Sequence, residues 1–193
     1  MSAPAWPVPA APPAPDSARK QELLAAAYDY VLRNGLADMS LRPLAKEIGS
    51  SPRVLLFLFG SKEGLIKALL AKAREEELSY LNALRDRREF AVTGREIWSW
   101  LAAPAHRALL AFWVEGYARS LLGDPGPWAD FGRTTVTDWL DLLASCQPAA
   151  TRNTPEAEAE RTLLLAVLRG ALLDLLATGD TGRVTRAVAL HLD

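Results

Sequence analysis

The stretch 40–62, SLRPLAKEIGSSPRVLLFLFGSK, decides the fold. Leu41, Leu44, Ala45 and Ile48 recur at i, i+3, i+4 and i+7, which places them on one face of a short helix. Ser40 stands before that run, where its oxygen can cap free backbone N–H groups. Pro43 costs nothing in a first turn, which has no intrahelical donor to lose. Gly49 closes the helix by taking the left-handed conformation. Ser51 and Pro52 then restart it as N-cap and first helical residue. Leu55 and Phe59 share one face of this second helix and pack back on the first. Gly60–Ser61 breaks the chain again, and a longer helix starts at Lys62. Two short helices joined by a tight turn, the second with one face free, predict a helix-turn-helix.

Residues 19–70 resemble the DNA-binding domain of the TetR family of bacterial transcriptional regulators. The matching residues are Gly35, Ser40, Leu41-Arg42-x-Leu44-Ala45, Gly49, Ser51 and Phe59-x-Ser61-Lys62-x-x-Leu65. The remainder of the chain fits the family by helical layout only. The resemblance implies a ligand-responsive transcriptional repressor that binds a palindromic operator as a homodimer. It also implies an effector cavity among the middle helices, and an effector that shifts the population towards a head spacing unsuited to successive major grooves, about 34–36 Å apart. The long helix from Lys62 would carry that motion to the heads.

Composition agrees with an all-α fold. Half of the 193 residues are apolar, Leu and Ala dominate, and β-branched residues are sparse. No run of 18 apolar residues lacks charge, so no membrane span is expected. The single Cys146 excludes an intrachain disulfide framework and fits a reducing cytoplasm. The net charge of −1 argues against a nucleic-acid binder, but the local balance differs. Between Ser17 and Lys62, Arg19, Lys20, Arg33, Arg42, Lys46, Arg53 and Lys62 face only Glu22, Asp29, Asp38 and Glu47, a net +3.

Three regions follow. Residues 1–15 form a proline- and alanine-rich arm, read as disordered, without the basic and continuous apolar regions of a signal peptide. Residues 16–62 form the DNA-binding head, whose first helix is capped by Asp16 or Ser17, runs to about Asn34 and is stopped by Gly35. Leu24, Ala27, Tyr28 and Val31 make its inward stripe. Residues 63–193 form a body of about six helices. The first runs from Lys62 to about Arg85 with Leu65, Ile66, Leu69, Leu70 and Ala73 inward and the charge run Arg74 to Glu77 on a solvated face. A polar connection is expected over 86–94, helical segments over 97–101, 104–122 and 128–146, and a last pair bracketed by a turn at Gly179 and Gly182.

No catalytic or metal constellation is visible. His106 and His191 have no Glu or His at ligand spacing, and no Glu-x-x-His pair, phosphate loop or nucleophile elbow occurs. Cys146 lies at a helix C-terminus, where the dipole disfavours a thiolate. Neither an enzyme nor a cofactor is expected.

On the second short helix, Pro52, Arg53, Val54 and Phe57 form the base-facing set, with Arg53 the one strong donor, suited to guanine O6 and N7. Ser40, Arg42, Ser51 and Lys62 are placed to meet phosphates. The sequence departs from the family where a tyrosine and a second polar aromatic or histidine usually hold phosphates, since Leu56 and Leu58 stand there. That departure keeps open a helical small-molecule binder with weakened or lost DNA binding, and one of the two leucines is expected to pack on the next helix. Trp100, Phe112, Trp113, Tyr117 and Trp139 are the candidate lining of a cavity for an apolar or aromatic effector. Helix 163–176 carries leucine on more than one face, which predicts burial on both sides. A second copy packed through Leu164, Leu168, Gly170, Ala171, Leu172, Leu175, Val184 and Val188 would supply one side.

Overall fold

A computed structural model describes residues 15–36, 39–84, 90–123 and 126–192. Nine α-helices occur among them, and no strand. They are α1 (Pro15–Asn34), α2 (Leu41–Glu47), α3 (Pro52–Phe59), α4 (Lys62–Leu84) and α5 (Phe90–Ala102), then α6 (Arg107–Leu121), α7 (Phe131–Ser145), α8 (Pro155–Thr178) and α9 (Thr181–Leu192). A 3₁₀ turn at Pro104–His106 leads into α6. No described helix is long and apolar enough to cross a membrane. Of the arm expected over residues 1–15, all but Pro15 lies outside the described residues, as do 86–89 of the expected polar connection and 124–125 between the two segments expected over 104–122 and 128–146.

The predicted punctuation operates at the head. Gly35, Gly49 and Gly60 all have φ between +65° and +79°, a conformation glycine enters without a Cβ clash. Ser51 Oγ accepts from Val54 N at 3.3 Å, and Pro52 occupies the first helical position. Ser61 does the same for α4, accepting from Gly64 N at 2.9 Å. Ser40 has the extended backbone of an N-cap, but its side chain makes no capping bond. Pro15 already belongs to α1, so Asp16 and Ser17 lie inside its first turn rather than capping it.

Two buried clusters hold the molecule together. The first joins α1, α2, α3 and the start of α4 through Leu23, Ala27, Tyr28, Val31, Leu44, Leu55 and Leu69, and extends into α6 at Phe112 and Trp113. Ala27, Tyr28 and Val31 of the expected inward stripe of α1 are buried, while Leu24 is half-buried against the cluster and Leu23 takes the fully buried place beside it. The second cluster joins α5, α6, α7, α8 and α9 through Ile97, Trp98, Leu110, Trp139, Leu142, Leu168 and Val188.

Three expectations need correction. Residues 90–94 are helical, with Thr93 and Gly94 buried. A Cβ on Gly94 would stand 2.9 Å from Leu192 Cδ2, so this glycine marks a close approach of helices and not a loop. Gly182 likewise lies within α9. The charge run on α4 is not simply solvated: Arg74 grips Asp138 of α7 with two hydrogen bonds of 2.7 and 2.9 Å, and Glu77 is buried against Trp139.

Candidate functional site: a nucleic-acid face and a buried cavity

Helix α3 is pinned from below by Leu55, which is buried, while Leu58 and Phe59 pack half-buried on the same core. Lys20 of α1 lies 5.3 Å above the Phe59 ring. The opposite face is open. Arg53 is exposed, as are Val54 (39%), Leu56 (42%) and Phe57 (77%), and Pro52 is half-exposed at the N-terminus. The five consecutive positions from 53 to 57 thus divide between one buried leucine and four exposed residues. Of the two leucines in place of polar side chains, Leu58 packs and Leu56 does not.

The cations around this face are arranged on helix starts. Lys62 opens α4 and Arg42 lies in the first turn of α2, both exposed, and Ser40 is exposed beside Arg42. Ser51 is half-buried, because its Oγ serves the Val54 amide. Arg33 is committed elsewhere, pairing with Glu47 at 3.0 Å across α1 and α2. The corner between α3 and α4 has no room for a side chain at Gly64, where a Cβ would lie 2.0 Å from the Phe59 carbonyl oxygen. Arg53 and Lys62 stand on the two helices that meet at this corner.

The body holds a cavity lined by Glu77 of α4, Leu101 of α5, Leu110 and Trp113 of α6, Trp139 of α7, and Leu165, Leu168, Arg169 and Leu172 of α8. Its free space is about 20 Å³, room for one water. Trp113 and Trp139 of the predicted lining are present. Phe112 instead turns into the head core, edge-on to Tyr28 with ring centres 6.2 Å apart. Trp100 is stacked between Tyr80 and His106 at 4.6 and 4.3 Å, away from the cavity. Tyr117 stacks on Trp113 at 5.0 Å and receives a 3.2 Å hydrogen bond from Arg169 Nη1, so it stands behind these two lining residues rather than in the lining itself. Helical spacing alone could not separate these neighbours. The missed residues, Glu77 and Arg169, sat within stretches that read as a solvated charge run and a leucine stripe.

Burial pushes the Glu77 carboxyl up to about 7, opposed by the Trp139 indole N–H that it accepts. Burial likewise lowers the Arg169 guanidinium below its ordinary range. Helix α6 connects this cavity to the head directly. One turn carries Trp113 on the cavity, Phe112 in the head core, and Glu115, whose Oε2 accepts from Leu36 N at 3.1 Å.

The leucines expected between two subunits are placed otherwise. Leu164, Leu168, Leu172 and Leu175 of α8 and Val184 and Val188 of α9 are all buried within the single chain. Ala171 is half-buried, and Gly170 lies on an open face where a Cβ would meet nothing within 4 Å. Beside Gly170 on that face stand Leu163 (55%) and Leu173 (53%), with Ala166 and Ala177 also exposed.

Residues 23–69 match the family model of bacterial regulatory proteins, tetR family. The nicotine-responsive transcriptional repressor HdnoR of Paenarthrobacter nicotinovorans is 24% identical over 161 residues, 78% of each chain. The transcriptional regulator BetI of Klebsiella pneumoniae is 26% identical over 113 residues, 54% of this chain and 58% of that one. A TetR transcription regulator from Haloarcula marismortui has the same fold, with a TM-score of 0.73 at 16% identity over 92% of this chain and 97% of that one. So does a transcriptional regulator from Rhodococcus sp. RHA1, with a TM-score of 0.72 at 23% identity over 90% and 93%.

Proposed function

From the premise that this chain is a member of the tetR family and a ligand-responsive, DNA-binding transcriptional regulator, we propose that it is a cytoplasmic repressor. It binds a palindromic operator as a homodimer and releases it when a small effector enters the body. The reading divides the chain into a DNA-binding unit over 16–62 and a regulatory and dimerisation unit over 63–193. The observation that carries it is the divided helix α3, where Leu55 is buried and Arg53, Val54 and Phe57 stand free. Free faces of this kind enter the major groove, with Arg53 reading guanine and the flanking Ser40, Arg42, Ser51 and Lys62 meeting phosphates.

The dimer forms on the open face of α8 around Leu163, Gly170 and Leu173, joined by exposed Ala187 and Leu190 of α9. A stripe of leucine and small residues there lets two copies of α8 approach closely. Effector binding must widen the cavity, whose free space of about 20 Å³ has room for a single water. Because α4 and α6 both wall the cavity and both reach the head, widening changes the tilt of the head in each subunit.

Selection of bound fragments from random DNA tests the reading. Enrichment of an inverted repeat with half-sites about one or two helical turns apart is the expected result. No enrichment with the intact protein would leave a small-molecule binder that no longer recognises DNA.

A further inference from the structure

The body cavity leaves one edge of a buried guanidinium unpaired. Arg169 Nε and Nη2 are buried and find no hydrogen-bond partner among the described residues, and the neighbouring Trp113 Nε1 has only Glu77 to turn to. Nη1 of the same guanidinium donates to Tyr117, and the group lies over the Trp113 and Tyr117 rings at 5.5 and 5.0 Å from their centres. The stacking sets its orientation. Nε and Nη2 form one edge of the planar group, the edge that meets the two oxygens of a carboxylate side by side.

No described protein group accepts from this edge of Arg169. Glu77, the one carboxyl in the lining, accepts from Trp139 Nε1, lies beside Trp113, and acts on Arg169 through its charge without a hydrogen bond to Nε or Nη2. The free space beside the edge is about 20 Å³. The rest of the wall is apolar, with Leu101, Leu110, Leu165 and Leu168.

We propose that this cavity takes a small carboxylic acid with an apolar body, its carboxylate bidentate on the Nε–Nη2 edge of Arg169 and in reach of Trp113 Nε1. The proposal rests on the reading of the chain as an effector-responsive regulator and supplies the chemistry of the effector. An amine would meet a buried cation and three donors pointing at it. A neutral hydrocarbon would leave the donors as they are. Glu77 does not bar the acid, because burial keeps its carboxyl largely or partly protonated up to about pH 7.

The test titrates the intact protein, without DNA, with 4-phenylbutyrate and octanoate, with their amides, and with 4-phenylbutylamine. Tryptophan fluorescence and calorimetry at pH 7 report binding. The acids should bind at least about tenfold tighter than the amides and the amine. Trp113→Phe keeps the ring and removes one donor, so it should weaken the acids several-fold and leave the amides nearly unchanged. Arg169→Met should abolish the preference for acid over amide. If Arg169→Met does not fold, the Trp113→Phe comparison decides alone. Equal affinity for acid and amide, tighter binding of the amine, or no saturable binding of either acid overturns the proposal. Operator binding is measured separately on the ligand-free protein, and its failure would remove the regulator reading while leaving an observed acid preference intact.

Discussion

Arg53 leaves α3 on the side that Leu55 does not use, and it is the one charged side chain among the exposed positions 53, 54, 56 and 57. Arg53→Ala should relax selection at one base pair per half-site, a discrimination of about 1–3 kcal/mol. A sequence logo that keeps its shape while affinity falls would move Arg53 to a phosphate. Around it Val54 and Phe57 offer only apolar surface, which suits the 5-methyl group of thymine. Replacing thymine by deoxyuracil at the selected positions should therefore weaken binding, and Phe57→Ala should cancel that penalty. Unchanged affinity on deoxyuracil DNA would remove the methyl contact. Glu77 makes a different kind of statement. Its folded carboxyl titrates near 7 against an ordinary 4.5, so between those values the folded state holds a proton that the unfolded state has lost. Its contribution to stability is complete below about pH 4.5 and falls as pH rises to 7, by up to roughly 3 kcal/mol. Glu77→Gln keeps an acceptor for Trp139 and cannot ionise. Denaturant unfolding should then show the variant gaining about 2–3 kcal/mol on the wild type between pH 5 and pH 8. A pH-independent difference would mean that Glu77 titrates normally. Nothing in the pattern around Glu77 marked it as buried, because a charged residue on a long helix looks the same whether α7 covers it or water does.

Helix α6 is the element whose position matters most to coupling. Within four residues it supplies a wall of the cavity, a core residue of the head, and the acceptor for the Leu36 amide. Glu115→Ala should leave operator binding and ligand binding each nearly intact in isolation. It should reduce the effect of ligand on operator affinity, by a few-fold or more. Undiminished coupling would assign the transmission to α4 alone. The elements themselves were largely readable. Local chemistry defines α2, α3 and the start of α4, because each boundary is set by a glycine, a capping serine or a proline within a few residues. Boundaries set by packing were not readable. Residues 90–94, Phe-Ala-Val-Thr-Gly, follow a charged run and end in Thr and Gly, yet they are helical and lay α5 against α8 and α9 with no side chain at Gly94. For the same reason the aromatic positions of α5 and α6 could be found by spacing, but not divided among head core, stack and cavity.

At the scale of the whole molecule the question is which apolar surface a second copy covers. An all-round apolar helix announces that both sides are buried, without saying which side its own chain takes. In α8 the inner side is Leu164, Leu168, Leu172 and Leu175, and the outer side is Leu163, Gly170 and Leu173. Leu173→Glu should therefore give a folded monomer with lost operator binding, read by sedimentation and gel shift. Leu168→Glu should unfold the chain, since it buries a charge at a cost of at least about 3 kcal/mol. A Leu173→Glu protein that remains dimeric would place the interface elsewhere. The chain's single thiol has a use of its own in this setting. Cys146 is buried at the end of α7, out of reach of reagents that label surface cysteines. Asp29 lies exposed on α1, so Asp29→Cys would carry one spin label per subunit on the head without removing the native sulfur. Two such labels in a dimer make a ruler between the heads. Pulsed dipolar spectroscopy should show operator DNA narrowing the distance distribution and 4-phenylbutyrate moving it away from that value. Overlapping distributions in the two states would mean that the heads are released without changing their separation.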